Sequence, residues 1–362
     1  MLRNVLWQRR QKQTTTSNST EVMLVKTIME EDYESDVRID YNTSPTERYT
    51  RIDKIGHGTY GHVYRSTDHA RNDAEVAVKY IEFPNDKSDY ERVIREIHCL
   101  RHLRHVNLLG LADACGIFRV RDEIGLVTPL YQFTLHKILH HHKLKLMTCQ
   151  RLSIYEGLLS GLTYMHRNGF YHRDIKPDNV LLNKDCAPVL ADYGLAREVN
   201  GFDDDQLSYY VVTRWYRAPE LIYNVDYDGT VDVWALGCVL AEMISGFALF
   251  PGKNDIDQLK SINKVIGSSG SSSETFDQFC QACASSCRAR LSKLLRDSTT
   301  DELDVLERIL VPQRRPSSKE LSAKKSAEQG AEQRCEQPVK PLLLKESKRD
   351  MEEHLLLELD WR

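Results

Sequence analysis

The segment from Tyr171 to Arg197, YHRDIKPDNVLLNKDCAPVLADYGLAR, constrains the fold more than any other stretch of the chain. Two short apolar runs, Val180-Leu181-Leu182 and Val189-Leu190-Ala191, flank a polar turn over Asn183 to Pro188, which predicts a tight two-stranded ribbon. Pairing those strands sets Asn179 and Asp192 side by side at one end of the ribbon. An amide oxygen and a carboxylate meeting there suit Mg²⁺, which prefers oxygen ligands and usually binds together with phosphates. Asp174 precedes the ribbon in a loop, where a carboxylate can accept a proton from a substrate hydroxyl. The alternative for the same letters is an ordinary polar hairpin.

Upstream, Ile55-Gly56-His57-Gly58-Thr59-Tyr60-Gly61-His62-Val63 spaces its glycines as G-x-G-x-x-G-x-V. Glycine lets a backbone fold closely over phosphates and point N–H groups at them. A dinucleotide-binding fold requires a helix directly after the glycines, whereas Val63-Tyr64-Arg65-Ser66 predicts a strand. Val76-Ala77-Val78-Lys79 is a further strand, and Tyr90 to His102 is helical, with Val93, Ile97 and Leu100 recurring on one face around Glu96. Ile124 to Leu130 is an apolar strand that runs into Tyr131-Gln132-Phe133-Thr134.

Taken together, HRDIKPDN followed by DYG, the glycine run and the VAVK strand resemble the motif set of the protein kinases, with Tyr193 in the Phe place of D-F-G. The run Val211 to Glu220, VVTRWYRAPE, is similar to the group holding the cyclin-dependent and mitogen-activated kinases, and SYYVVTRW leans to the mitogen-activated branch. DVWALGC within Thr230 to Phe247, Leu249 to Gly252 and Leu306 to Leu321 match later kinase segments. The resemblance implies an α+β, two-lobed kinase domain over residues 49–321, with a sheet-rich N-lobe carrying one helix (49–128) and a larger helical C-lobe (132–321). Residues 1–48 are then an extension without a core. Residues 322–362 are a tail whose Met351, Leu355 and Leu359 form one apolar helical stripe able to dock.

The resemblance also implies roles. The reaction is transfer of the γ-phosphoryl group of ATP to a Ser or Thr hydroxyl, with Asp174 as base and Lys176 offsetting charge on the transferred group. Lys79 holds the phosphates, anchored by Glu96, and Asn179 and Asp192 hold Mg²⁺. Ile55 to Val63, Ala77, Thr128, Pro129, Tyr131 and Leu181 line the nucleotide site, with Thr128 at its back, and Tyr131 to Thr134 form the hinge. Lys176 and Thr213 follow the Ser/Thr pattern. Arg95, Arg173 and Arg197 match arginines that receive a phosphorylated Ser208, and Arg214 and Arg217 those that receive phosphorylated Tyr210. Glu220 pairs with Arg315. Partners are substrates with Ser/Thr-Pro sites and an upstream activating kinase. Three departures stand out: Ser208 replaces the Thr of T-x-Y, Thr134 replaces a ribose-binding acid, and Gly267 to Leu303 is short for the group. A pseudokinase scaffold on the same fold is the rival reading.

Composition bears on what is excluded. A net charge of −4 argues against bulk nucleic-acid binding. Nine cysteines in no disulfide framework predict reduced thiols in a cytosolic or nuclear setting. The basic, acid-free first 20 residues make mitochondrial import the lesser alternative. Val231 to Phe250 is interrupted by Asp232 and Glu242, so it predicts a buried core helix rather than a membrane span, and the protein is expected to be a monomer. Cys280, Cys283 and Cys287 predict a packed thiol face on one helix, since a fourth metal ligand is lacking. His136 and His140-His141-His142 predict a solvated helix end, because consecutive side chains diverge around a helix.

Overall fold

The computed structural model describes residues 45–58, 61–82, 87–112, 117–120, 123–198, 214–267, 275–283, 287–312 and 315–328. The described residues form two compact units, one from residues 45–82 with those described between 111 and 128, the other from residues 87–110 with the described residues after 128.

The first unit is a five-stranded sheet. Strands β1 (Tyr49–Gly58), β2 (Gly61–Asp68), β3 (Ala74–Glu82), β4 (Ile117–Val120) and β5 (Glu123–Pro129) lie in the order β1-β2-β3-β5-β4. The β1–β2, β2–β3 and β4–β5 pairs are antiparallel. Tyr49, Val76, Val78, Tyr80, Phe118 and Val127 fill one side of the sheet. Tyr49 stacks on Phe118 at 5.2 Å, and Tyr80 meets the same ring edge-on at 5.8 Å, the offset arrangements that aromatic quadrupoles favour. Arg48 closes the start of β1 with two 2.9 Å hydrogen bonds to the buried Asp68 carboxylate. Gly61 has no room for a side chain, since a β-carbon there would run into the Tyr80 carbonyl of β3. The last glycine of the G-x-G-x-x-G run therefore has a packing role in the sheet itself.

The second unit is mostly helical: α1 (Lys87–His102), α2 (Thr148–Arg167), α3 (Thr230–Ser245), α4 (Asp255–Ile266), α5 (Phe276–Ala282), α6 (Arg288–Leu294), α7 (Thr300–Leu310) and α8 (Ser318–Glu328). Helix α3 is buried continuously from Val231 to Ile244, which is why its sequence is apolar on most faces. Trp234 of α3 stacks on Phe250 at 5.5 Å. Helix α7 opens with a Thr299/Glu302 capping box, and the same Glu302 carboxylate accepts two hydrogen bonds from Arg151 of α2 at 2.7 and 3.0 Å. Two small sheets complete the unit: β6 (Phe133–Thr134) with β8 (Val180–Leu182) and β9 (Pro188–Leu190), and β7 (Phe170–Tyr171) with β10 (Arg197–Glu198). Among the described residues no helix is long and apolar enough to cross a membrane.

Three expectations differ from this picture. Helix α1, expected with the sheet, groups with the second unit because the chain after it is tied to β9. Leu109 N–H donates to Leu190 O at 2.8 Å, Leu190 N–H to Asn107 O at 2.9 Å, and the Asn107 amide to Pro188 O at 2.8 Å. The second strand of the ribbon runs Pro188–Leu190, one residue earlier than the apolar run suggests. The three cysteines do not share a helix face. Helix α5 stops at Ala282, Cys283 is its extended cap and bridges back to Gly267, and Cys287 precedes α6. All the described cysteines are free thiols.

Candidate active site

The ribbon is built by antiparallel pairing of Val180 with Leu190, Leu181 with Val189 and Leu182 with Pro188. A further bond from Ala191 N–H to Asn179 O, 2.9 Å, carries the ladder one step on and brings Asn179 beside the start of the Asp192 turn. Asp192 has φ 67°, a left-handed conformation that a non-glycine residue adopts at a cost. The single helical turn Pro177–Asn179 leads into β8, and Asn179 is almost buried. Its side-chain Nδ2 donates to the Asp174 carbonyl at 2.8 Å and to Asp174 Oδ2 at 2.9 Å. With the amide nitrogen so engaged, Oδ1 is the atom left for a hard cation, which is the donor type that Mg²⁺ takes.

Asp174 Oδ2 also accepts from Lys176 Nζ at 2.8 Å. Asp174 Oδ1 takes no hydrogen bond among the described residues. Burial pushes the Asp174 carboxyl above its ordinary value, against the opposing pull of Lys176. The loop is held from behind by His172, whose Nε2–H donates to Ala191 O at 3.2 Å, leaving Nδ1 to accept the Asp174 N–H at 3.3 Å. Burial lowers the His172 pKa, which keeps this ring neutral and suits that tautomer.

Beneath the loop lies Asp232, an acid inside the apolar helix α3 and nearly inaccessible. It accepts from His172 N–H at 2.8 Å, from Arg173 N–H at 2.7 Å and from the His166 ring at 2.9 Å. Burial alone would raise its pKa; these hydrogen bonds and the imidazoles outweigh burial and hold it below the ordinary aspartate value. Asp232 fixes Arg173 at φ 65°. In the sequence Asp232 reads only as an interruption of a membrane-like run. A lone acid in such a run was the signal for this role.

Tyr193 is fully buried, and its one hydroxyl proton is shared between Leu109 O at 3.0 Å and Leu190 O at 3.2 Å. Burial pushes that hydroxyl well above the ordinary tyrosine range, so it remains a donor. A phenylalanine there has no such bonds. Arg173 donates from Nε to Leu195 O at 2.8 Å and from Nη1 to the Tyr227 hydroxyl at 2.8 Å. Arg197 reaches the same hydroxyl at 3.3 Å. Two of the three arginines expected to share a phosphate thus converge on one oxygen, and Tyr227 is a partner that the sequence did not suggest. Arg95 lies on α1.

Arg214 Nε is 2.8 Å from Asp255 Oδ1, an ion pair the sequence reading had not foreseen, and Arg217 follows one turn on. The Thr134 hydroxyl accepts Lys137 N–H at 3.1 Å. Leu181 pairs with Thr134 across β6 and β8, and Tyr131 is half-buried. In the first unit, Gly58 pairs with Gly61, Gly56 with Val63 and His57 with His62, and Ile55 is on β1. Ala77 and Lys79 lie on β3, and Thr128 and Pro129 end β5. Glu96 is buried on α1. Glu220 and Arg315 form the expected pair, both side chains buried. Thr59, Tyr60, Asp203 to Asp205, Ser208, Tyr210 and Thr213 lie outside the described residues, as do the extension up to residue 44 and the tail beyond 328.

The chain matches the family model for the protein kinase domain over residues 49–325. It is similar to mitogen-activated protein kinase 12 of Homo sapiens, 42% identical over 224 residues, covering 60% of this chain and 59% of that protein. Mitogen-activated protein kinase 14 of Xenopus laevis is 36% identical over 276 residues, 73% of this chain and 74% of the relative. Mitogen-activated protein kinase HOG1 of Cochliobolus heterostrophus is 36% identical over 288 residues, 77% and 79%. The match to kinase 12 thus spans about three-fifths of that relative's length.

Proposed function

The chain belongs to the protein kinase family, among ATP-dependent Ser/Thr kinases of the mitogen-activated type, and from that premise we propose that it phosphorylates Ser or Thr residues followed by proline. The observation that carries the catalytic reading is the Asp174 carboxylate. Lys176 and Asn179 both hold Oδ2, which orients the group and leaves Oδ1 open to accept the proton of an attacking hydroxyl. Catalysis of this kind is mostly positioning and charge neutralisation. Lys79, with Glu96 as its carboxylate partner, and the glycine run of Ile55 to Val63 serve the phosphates. Ala77, Thr128, Pro129, Tyr131 and Leu181 serve the adenine, and Thr213 completes the substrate side. Asn179 and Asp192 hold Mg²⁺, which when bound offsets the charge of the phosphates.

Control by phosphorylation of Ser208 is supported by the convergence of Arg173 and Arg197 on one hydroxyl, and control by Tyr210 rests on the resemblance of Arg214 and Arg217 alone. A phosphate of about −1.5 to −2 charge is a stronger acceptor for two guanidinium groups than a phenol. The protein acts in the cytoplasm or nucleus as a monomer.

The test is a degenerate peptide library with Mg-ATP, before and after treatment with an activating kinase. Transfer that rises on treatment, and that favours proline after the phosphorylated residue, is expected, because proline has no N–H to leave unpaired. Transfer without a proline preference would remove the substrate assignment. Nucleotide binding with no transfer in either state would instead make the chain a scaffold.

A further inference from the structure

Consecutive histidines on an α-helix diverge, but the segment holding His140 and His141 is not an α-helix. Lys137–His141 forms one π turn, closed by His142 N–H donating to Lys137 O at 2.9 Å. The wider i→i+5 turn brings positions i, i+4 and i+5 to one side, and such turns occur often at functional sites. The rings of His136 and His140 are 4.6 Å apart, and those of His136 and His141 5.7 Å. Imidazoles bound to one ion through bonds of about 2.0–2.1 Å place their ring centres about 4.5–5.2 Å apart, for bond angles from right to tetrahedral. The first pair already meets that spacing, and the second is a small side-chain rotation away.

Each of the two closer rings has a carboxylate behind it. His140 Nε2 is 2.7 Å from Glu242 Oε1, and Glu242 is itself fixed by the Tyr216 hydroxyl at 2.7 Å. His136 Nδ1 is 3.7 Å from Asp178 Oδ2. The His140–Glu242 contact is the usual support for a metal-bound histidine, since it sets the tautomer and raises the basicity of the other nitrogen. It leaves His140 Nδ1 as a ligand beside the His136 ring.

As the side chains stand, no three His, Cys, Asp or Glu groups among the described residues are placed to hold an ion. We propose that His136 and His140 form a two-imidazole chelate for a borderline divalent transition-metal ion of the Zn²⁺ or Ni²⁺ class, completed by water and joined by His141 on rotation. This ion is distinct from the Mg²⁺ of the Asn179 and Asp192 pair, since imidazole suits transition metals and oxygen suits Mg²⁺.

The probe is Ni²⁺, less drawn to the free thiols than Zn²⁺, titrated calorimetrically into the full, tag-free chain in excess Mg²⁺. One saturable site is expected in the parent. His136→Gln, a change at a half-exposed ring, should weaken it by about tenfold or more. His140→Gln should do the same, with circular dichroism confirming its fold because it also breaks the bond to buried Glu242. His142→Gln, at an exposed side chain beside the cluster, should leave affinity unchanged. No saturable Ni²⁺ binding in the parent, or equal affinity in parent and His136→Gln, would overturn the proposal.

Discussion

Replacing Arg315 by alanine tests how the segment around Ala218-Pro219-Glu220 is held. The Arg315 side chain is 3% exposed and that of Glu220 8%, so water cannot take over either charge. Arg315 Nε donates to Ile309 O at 3.0 Å at the end of α7, and its guanidinium lies 5.0 Å over the Trp234 ring of α3. Glu220 Oε2 already has no hydrogen-bond partner among the described residues, so the carboxylate depends on Arg315 for its compensation. Losing the cation strands a buried charge, at a cost of about 3–5 kcal/mol. The contact with Trp234 is worth about 1–2 kcal/mol of that and does not add independently. At about 2–4 °C per kcal/mol for a large domain, the melting temperature should fall on the order of 10 °C. Urea unfolding of Arg315→Met, Glu220→Leu and the double variant then isolates the pair. The double variant should recover much of the loss, because an apolar pair of similar volume is often neutral in such a site. An Arg315→Ala variant that melts with the parent, or single costs that simply sum in the double variant, would refute the reasoning.

Asp174→Asn should leave folding and nucleotide binding close to the parent and cut phosphoryl transfer about 10²–10⁴-fold, read in a single-turnover assay; full activity would remove Asp174 from the mechanism. Asp232 has a depressed pKa in the folded state, so its stabilisation is complete above the ordinary aspartate value of about 3.9 and is lost as pH falls through the folded value. Asp232→Asn should therefore be clearly less stable than the parent at neutral pH, with the gap narrowing below about pH 4, measured by urea unfolding across pH; a gap independent of pH would count against the ionised-carboxylate account. Gly61→Ala should destabilise by about 1–3 kcal/mol through overpacking against Tyr80, and a neutral result would mean that β2 and β3 can part at little cost.

What was legible in the sequence was local. Val180–Leu182 and the run near Val189 declared a ribbon by apolar spacing, and the ribbon alone set Asn179 against Asp192. Arg315 and Glu220 were found only through family resemblance, because nothing in their local sequence marks a pair so far apart in the chain. Asp232, Tyr227 and the second bond of Glu302 stayed hidden for the same reason: their partners come from distant elements. The cysteine reading failed where a helix end intervened between Cys280 and Cys287. The histidine segment is a solvated helix end as its letters suggest, but its π turn was not legible, because the hydrogen bond that makes one has no letter of its own.

The buried hydroxyl of Tyr193 has a pharmacological consequence. Its hydrogen bond, one proton shared between Leu109 O and Leu190 O, must break before the ring can leave its pocket. A compound that binds only after expelling this side chain carries that penalty here, and carries none from this source against a chain with phenylalanine at the same place. At about 0.5–1.5 kcal/mol for a neutral bond, the loss of this one shared donor amounts to up to about one order of magnitude in affinity. Ligands of that kind should discriminate against this kinase, whereas ligands that leave the tyrosine in place should not.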